Sequence, residues 1–408
     1  MCEAEPPLIC TLVQEVSPGG ELDPLPKTPM RAAFVAAVTA SALLAAGFAP
    51  AAAEAPGAII AVQPEPAGWH GMARGSVVEY WMTDSAGTLR PASGALFLPD
   101  GDAPATGWPI LAYDHGTSGS GPGCGGQADP ELAPLPRQRG AEDAFIKRFV
   151  DQGYAVVAPD YLGLGRFETG PHPYLEVRSE ASATIDLVRA ARAADPNLSR
   201  TWSVLGISQG GHAALSTAHV QQSYAPELDF RGTVAVDPAS DVEKVLPFVG
   251  PELPEIPVLS SATSFVVSIL AGLRATHPEA DVDSYLTPLG RSLVDAAGDR
   301  CLDEIIASVK GLSARDLLAR PLTGLRDVLA AYMTLPTSGY DAPILLTMNV
   351  TDTIVPSPLH AALVAQFAAN GVDQQVIPGT GQHGSISPEQ RAAIDAFLDR
   401  VHAAPPQR

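Results

Sequence analysis

Ser208 stands at the centre of Gly206-Ile207-Ser208-Gln209-Gly210, directly after the apolar run Trp202-Ser203-Val204-Leu205. A helix-like stretch follows, Gly211-His212-Ala213-Ala214-Leu215-Ser216-Thr217-Ala218. Strand, glycine-flanked turn and helix put a hydroxyl at the apex of a sharp bend, where a base can reach it. A side chain at either glycine would collide with the neighbouring strand or helix. Serine at its own pKa is a poor nucleophile, so an imidazole has to take its proton as attack proceeds.

The partners for such chemistry lie downstream. The apolar run Pro343-Ile344-Leu345-Leu346-Thr347-Met348 ends in Asn349-Val350-Thr351-Asp352, which puts Asp352 on a loop just past a buried strand. A second strand-like piece, Asp373 to Pro378, leads to Gly379-Thr380-Gly381-Gln382-His383-Gly384-Ser385. There the ring of His383 can swing towards a serine. Ser, then Asp, then His along the chain is the order of the α/β-hydrolases. The carboxylate would hold the imidazole's tautomer and stabilise the imidazolium that forms. Asp352 also fits an ordinary turn former. His383 has rivals in His172 between prolines, in His360 and His402 on helix-like stretches, and in His212. The last sits on the helix after Ser208, where packing or capping suits it better than a base.

Ester or amide cleavage also needs donors for the oxyanion. The strand-like run Trp108 to Asp114 ends in His115-Gly116-Thr117-Ser118-Gly119-Ser120-Gly121. A histidine-glycine turn after the third strand of this fold supplies one N–H, and the residue after the nucleophile supplies the other. Thr117 and Gln209 are the expected donors.

The elements that must position these residues alternate along the chain. Early antiparallel strands are expected at 76–82 and 95–99, then a strand at 108–114 and a helix at 141–151. Tyr154-Ala155-Val156-Val157-Ala158-Pro159 is the near-continuous apolar run of a buried parallel strand. A helix at 179–194, the nucleophile strand and its helix, and a strand at 232–236 follow. The strand reaching Asp352, a helix at 358–370, the strand before His383 and a helix at 388–402 complete a mostly parallel sheet wrapped by helices. Residues 239–335 break the alternation. They are helix-like and proline-punctuated, and inserted here they would lie over the carboxyl ends of the strands as a lid. The apolar runs Val245 to Val249 and Phe265 to Leu270 are either the lid's own core or a surface for lipid.

The 408 residues suffice for one large core with an insertion. A net charge of −20 excludes nucleic acid as a partner and says little about a neutral ester. No HExxH, paired CxxC or phosphate-binding glycine loop is present, so no metal or nucleotide cofactor is expected, and no obligate protein partner. Met30-Arg31, the run Ala32 to Phe48 and Ala49-Pro50-Ala51-Ala52-Ala53 read as a secretory signal peptide over 30–53. Residues 1–29 then read as an upstream extension, and the hydrolase domain as 54–408. Export leaves Cys124 and Cys301, for which a disulfide is plausible in an oxidising compartment. It would tie the insertion to the rim of the site.

Laid side by side, four motifs resemble the secretory lipase family of the α/β-hydrolase superfamily, typified by fungal lipase A. They are His115-Gly116-Thr117, Ala158-Pro159-Asp160-Tyr161-Leu162-Gly163-Leu164-Gly165, Gly206-Ile207-Ser208-Gln209-Gly210-Gly211 and Pro378-Gly379-Thr380-Gly381-Gln382-His383. The resemblance spans roughly residues 67–400. It implies a secreted serine esterase or lipase with Ser208, Asp352 and His383 as its triad and a helical lid. Asn349 departs from the glycine that relatives carry there. The expectation is that asparagine tolerates a left-handed turn, and that its sequon stays unglycosylated. A peptidase or amidase on the same fold, and a non-catalytic surface binding protein on a hydrolase scaffold, remain the alternatives.

Overall fold

The computed structural model describes residues 54–253 and 262–404. The expected signal peptide and upstream extension lie outside the described residues. Nine strands form one sheet: β1 (Ile59–Glu65), β2 (Gly75–Thr83), β3 (Leu89–Phe97), β4 (Trp108–Asp114), β5 (Ala155–Pro159), β6 (Leu198–Ile207), β7 (Asp229–Val236), β8 (Ile344–Asn349) and β9 (Gln374–Gly379). Their order in space is β1-β2-β3-β5-β4-β6-β7-β8-β9. β1, β2 and β3 pair antiparallel, as does β3 with β5, and the remaining pairs are parallel. This is the α/β-hydrolase fold.

Seven longer helices and four short ones complete the described chain: α1 (Pro136–Asp151), α2 (Val177–Ala194), α3 (Gln209–Tyr224), α4 (Val242–Val245), α5 (Ala262–Thr276), α6 (Pro288–Ala297), α7 (Leu302–Ser308), α8 (Ala314–Leu317), α9 (Arg326–Met333), α10 (Ser357–Ala369) and α11 (Pro388–Ala403). The central strands read as apolar runs because helices cover both faces. Along β4 and β6 the two-residue period divides the core. Ile110, Ala112, Trp202 and Val204 pack with residues of α2 and α3, such as Ala183, Leu187 and Ala214. Leu111, Tyr113, Leu205 and Ile207 pack under Phe145 and Phe149 of α1 and Phe397 and Leu398 of α11.

Helices α4 to α9 lie between β7 and β8. They close over a core of their own, including Val267, Leu270, Leu273, Ile305, Leu325, Leu329 and Met333. That core also takes in Tyr174, Leu175, Ala239 and Val355 from the sheet domain. Of the apolar runs noted above, Leu246, Val267, Ile269 and Leu270 are buried, whereas Val245 and Phe248 face outwards, with Leu253 and Leu289.

Candidate active site

β6 delivers Ser208 to the turn before α3 with φ 60° and ψ −117°, a left-handed conformation that costs a non-glycine residue about 1–3 kcal/mol. Backbone bonds on both sides hold it: Ser208 N donates to Val236 O at 2.9 Å, and Ser208 O accepts from His212 N at 3.1 Å and Ala239 N at 3.2 Å. The flanking glycines leave no room for anything else. A Cβ on Gly206 would lie 1.9 Å from Gly210 O, and one on Gly210 would lie 1.8 Å from Asp114 O. The serine turn therefore sits directly on the end of β4, where the His115-Gly116-Thr117 turn begins.

The β9–α11 loop carries His383 and the β8–α10 loop carries Asp352. His383 Nε2 lies 2.8 Å from Ser208 Oγ, and His383 Nδ1 lies 2.5 Å from Asp352 Oδ2. All three side chains are buried. Asp352 Oδ1 accepts from Ile354 N at 2.8 Å and Val355 N at 3.1 Å, which leaves Oδ2 to the imidazole. With Nδ1–H donating to the carboxylate, Nε2 is the acceptor that faces the serine hydroxyl. The structure thus brings Ser208, His383 and Asp352 into one hydrogen-bonded line, although 175 residues separate Ser208 from His383.

The two loops are locked to each other by Asp237, at the carboxyl end of β7. Asp237 Oδ1 accepts from Asn349 N at 2.7 Å, and Oδ2 accepts from Asn349 Nδ2 at 2.7 Å and Gly384 N at 2.8 Å. Asn349 also donates to Ser385 O at 2.9 Å and accepts from Gly381 N at 3.0 Å. Burial pushes the Asp237 pKa above its ordinary value, while an imidazolium at His383 would pull it back, as these N–H donors do. The expectation of a left-handed turn at Asn349 is corrected here. Asn349 has no positive φ. Its side chain is a clip between the acid loop and the histidine loop, a task glycine could not perform. Both its amide protons are engaged in the buried interior, so the folded chain offers no acceptor for a glycan.

His360 on α10 approaches this group from behind. Its Nε2 lies 3.2 Å from Pro238 O and 4.0 Å from Asp352 Oδ2. Burial lowers its pKa, so it donates to the carbonyl as a neutral ring. Asp237, Asp352 and His360 are close enough to share a cation. Their oxygens, however, already accept from Asn349, Gly384, Ile354, Val355 and His383. His212 turns away from the serine: Nδ1 meets Glu180 Oε2 at 2.6 Å and Nε2 meets Met333 O at 3.0 Å. Burial alone would lower its pKa, but the adjacent Glu180 carboxylate raises it overall.

Thr117 and Gln209 border the same turn. Gln209 is the first residue of α3, and Thr117 lies in the β4–α1 loop that Gly210 packs against at Asp114 O and His115 O. Neither backbone N–H has an acceptor among the described residues. His115 is buried and neutral, its pKa pushed down to about 4 by desolvation, and its ring packs 4.5 Å from that of Tyr161. The Asp160-to-Gly165 segment backs the loop. Asp160 Oδ1 accepts from Gln127 N at 2.7 Å, Tyr161 Oη donates to His115 O at 3.1 Å, and Gly125 N donates to Leu164 O at 3.0 Å.

From the front, the insertion is stitched on. Cys124 and Cys301 form a disulfide, Leu302 N donates to Ser118 O, and Ser120 N donates to Arg300 O, both at 2.9 Å. Glu180 and Asp237 were not singled out from the sequence as parts of this site, and His172 entered only as a rival to His383. Only Asp237 left a signal, as a carboxylate at the end of the strand beside the serine strand.

The secretory lipase family model matches residues 135–387, well over half of the chain. Lipase A of Arthroderma benhamiae is 26% identical over 249 residues, covering 57% of this chain and 49% of that protein. The secreted triacylglycerol lipase LIP4 of Malassezia furfur is 26% identical over 178 residues, 41% of this chain and 30% of that protein. The chain thus spans about half or less of the length of these curated relatives. The rice cell wall degrading esterase LipA of Xanthomonas oryzae superimposes with a TM-score of 0.65 at 21% identity, over 85% of this chain and 96% of that one. The chain belongs to the secretory lipase family.

Proposed function

We propose that this secretory lipase family member is a secreted hydrolase of carboxylic esters that works through an acyl-enzyme without a cofactor. Ser208 Oγ attacks the ester carbonyl carbon while His383 Nε2 takes its proton, and Asp352 stabilises the imidazolium. The N–H groups of Thr117 and Gln209 hold the oxyanion. Collapse of the tetrahedral intermediate breaks the carbonyl–alkoxy bond, and His383 returns the proton to the departing alcohol. Water then attacks the acyl carbon, passes its proton to His383, and frees the acid and Ser208.

The observation that carries this reading is the line Ser208 Oγ–His383 Nε2 at 2.8 Å and His383 Nδ1–Asp352 Oδ2 at 2.5 Å, held at a strained serine turn. Family membership supports ester substrates. The triacylglycerol lipase among the relatives supports lipid esters, and the outward Val245, Phe248 and Leu289 of the insertion support transient contact with a lipid surface. We read the insertion as a lid over 239–335. The signal-like segment at 30–53 supports export, and with it either a free or a cell-wall-associated product. Among the described residues no helix is long and apolar enough to cross a membrane.

The test is Ser208→Ala, assayed on a series of p-nitrophenyl esters from acetate to oleate and with a fluorophosphonate probe. Wild type turns over esters and labels, whereas the variant does neither and keeps its melting temperature. Ester turnover by the folded variant overturns the assignment.

A further inference from the structure

Thr117, in the loop whose start packs against Gly210 of the serine turn, and Tyr174 form an isolated pair of hydroxyls. Thr117 Oγ1 lies 2.8 Å from Tyr174 Oη, and both residues are buried. Two hydroxyls carry two protons, and their mutual bond uses one. The second proton has no acceptor among the described residues. Buried donors are seldom left without a partner. A phenol is the stronger acid of the two and its oxygen the weaker acceptor, so Tyr174 donates and the unspent proton sits on Thr117. Burial raises the phenol's pKa above its ordinary value, which keeps the tyrosine protonated throughout the working range.

We propose that the Thr117 hydroxyl is a third oxyanion donor, a catalytic group in addition to the two backbone N–H groups, and that Tyr174 is the positioning residue that orients it. This rests on the serine-hydrolase reading above. The segment from His172 to Tyr174 braces both sides of the hole. His172 Nδ1–H donates to Leu162 O at 2.8 Å, which makes Nε2 the acceptor for Gln209 Nε2 at 2.7 Å. Burial lowers the His172 pKa to about 3, so that acceptor is retained at every working pH. Gln209 Nε2 also donates to Glu180 Oε1 at 2.9 Å. Gln209 is thereby held through His172, and Thr117 through Tyr174. The Tyr174 ring in turn stacks on Phe265 of α5 at 6.4 Å between centroids. The insertion therefore helps to aim the hydroxyl, and a change in its packing is felt at the reacting oxygen.

The experiment compares wild type with Thr117→Val, Thr117→Ser, Tyr174→Phe and the Thr117→Val/Tyr174→Phe double variant on a short p-nitrophenyl ester. It reads kcat, KM, melting temperature and inhibition by phenylboronic acid. A lost oxyanion donor lowers kcat and leaves KM nearly alone. The expected losses in kcat are about 100-fold for Thr117→Val and about 10-fold for Tyr174→Phe, with the double variant no worse than Thr117→Val. Thr117→Ser keeps the hydroxyl and most of the activity. The boronate, whose adduct mimics the oxyanion, weakens in step with kcat.

Wild-type kcat in Tyr174→Phe or Thr117→Val, or a Thr117→Ser variant as defective as the valine, overturns the proposal. Should Thr117→Val fail to fold, Thr117→Ser and Tyr174→Phe decide between the outcomes. A wild-type protein that neither cleaves esters nor labels with fluorophosphonate instead overturns the hydrolase reading itself.

Discussion

Asp237 gives the sharpest test of how the site is held. Its carboxylate accepts three N–H bonds, two from Asn349 and one from Gly384, at 2.7–2.8 Å. Asp237→Ala strands all three donors in the interior. Each buried unsatisfied donor costs about 1–3 kcal/mol, and two of the three share one residue that can partly relax. A net loss of about 3–5 kcal/mol follows, read as a fall in Tm of roughly 4–7 °C for a domain of this size. Asp237→Asn keeps one acceptor oxygen but turns a donor towards donors, so it should lose nearly as much. Activity should fall further than stability alone accounts for. The acid and histidine loops lose their common anchor, and a displacement of about 1 Å at the reacting groups costs on the order of 100-fold in rate. The assay pairs thermal and urea denaturation with kcat on a p-nitrophenyl ester at a temperature where each variant is fully folded. An Asp237→Ala protein with wild-type Tm and wild-type kcat refutes the clamp.

Gly210→Ala would push its Cβ to 1.8 Å from Asp114 O, an overlap that only backbone movement relieves. The expected cost is more than about 3 kcal/mol, read as lost soluble yield or a lowered denaturation midpoint. The Cys124–Cys301 bridge closes a loop of 177 residues, for which chain entropy gives about 5 kcal/mol as an upper value. The Cys124→Ser/Cys301→Ser protein should be less stable by a few kcal/mol, and native protein should show no free thiol by mass with and without reductant. Asp160 titrates at about 6 rather than 3.8 because burial disfavours its charge. Its folded state favours the protonated form, so its contribution to stability is greatest below about pH 4 and is lost as pH rises through about 6. The stability of wild type minus that of Asp160→Asn should therefore fall by up to about 3 kcal/mol between those limits. A difference that stays flat or rises with pH contradicts the assignment.

The parallel sheet was legible because a strand buried on both faces has to be a near-continuous apolar run, as 155–159 and 344–348 are. The edge strand β1 was not, because half-exposed residues such as Ile60 and Gln63 show neither that run nor a clean alternation. Helix α1 starts at Pro136, before its first apolar residue, so its opening turn read as loop. Ser208, Asp352 and His383 stood out because strand ends and glycine-rich turns mark loops that can carry chemistry. Glu180, His172 and Asp237 act through contacts to residues 29, 37 and 112 positions away, and such distances leave no local spacing to read. Asn349 shows how a residue type can mislead. Its tolerance of left-handed backbone suggested a turn former, whereas its worth lies in an amide that both donates and accepts.

The insertion between β7 and β8 is fastened to the sheet domain at several separate points. The Arg300–Leu302 corner is bonded to the Ser118–Ser120 turn and through Cys301 to Cys124, and the end of α9 is bonded through Met333 O to His212. A segment held at such separate places cannot turn about one axle. On the α4 side, Lys244 Nζ donates to Gln366 Oε1 of α10 at 2.9 Å and Asp241 Oδ2 accepts from Gln366 Nε2 at 2.8 Å, so that margin is tied to the sheet domain as well. Rotation of the insertion as a single body therefore has to break one of these ties.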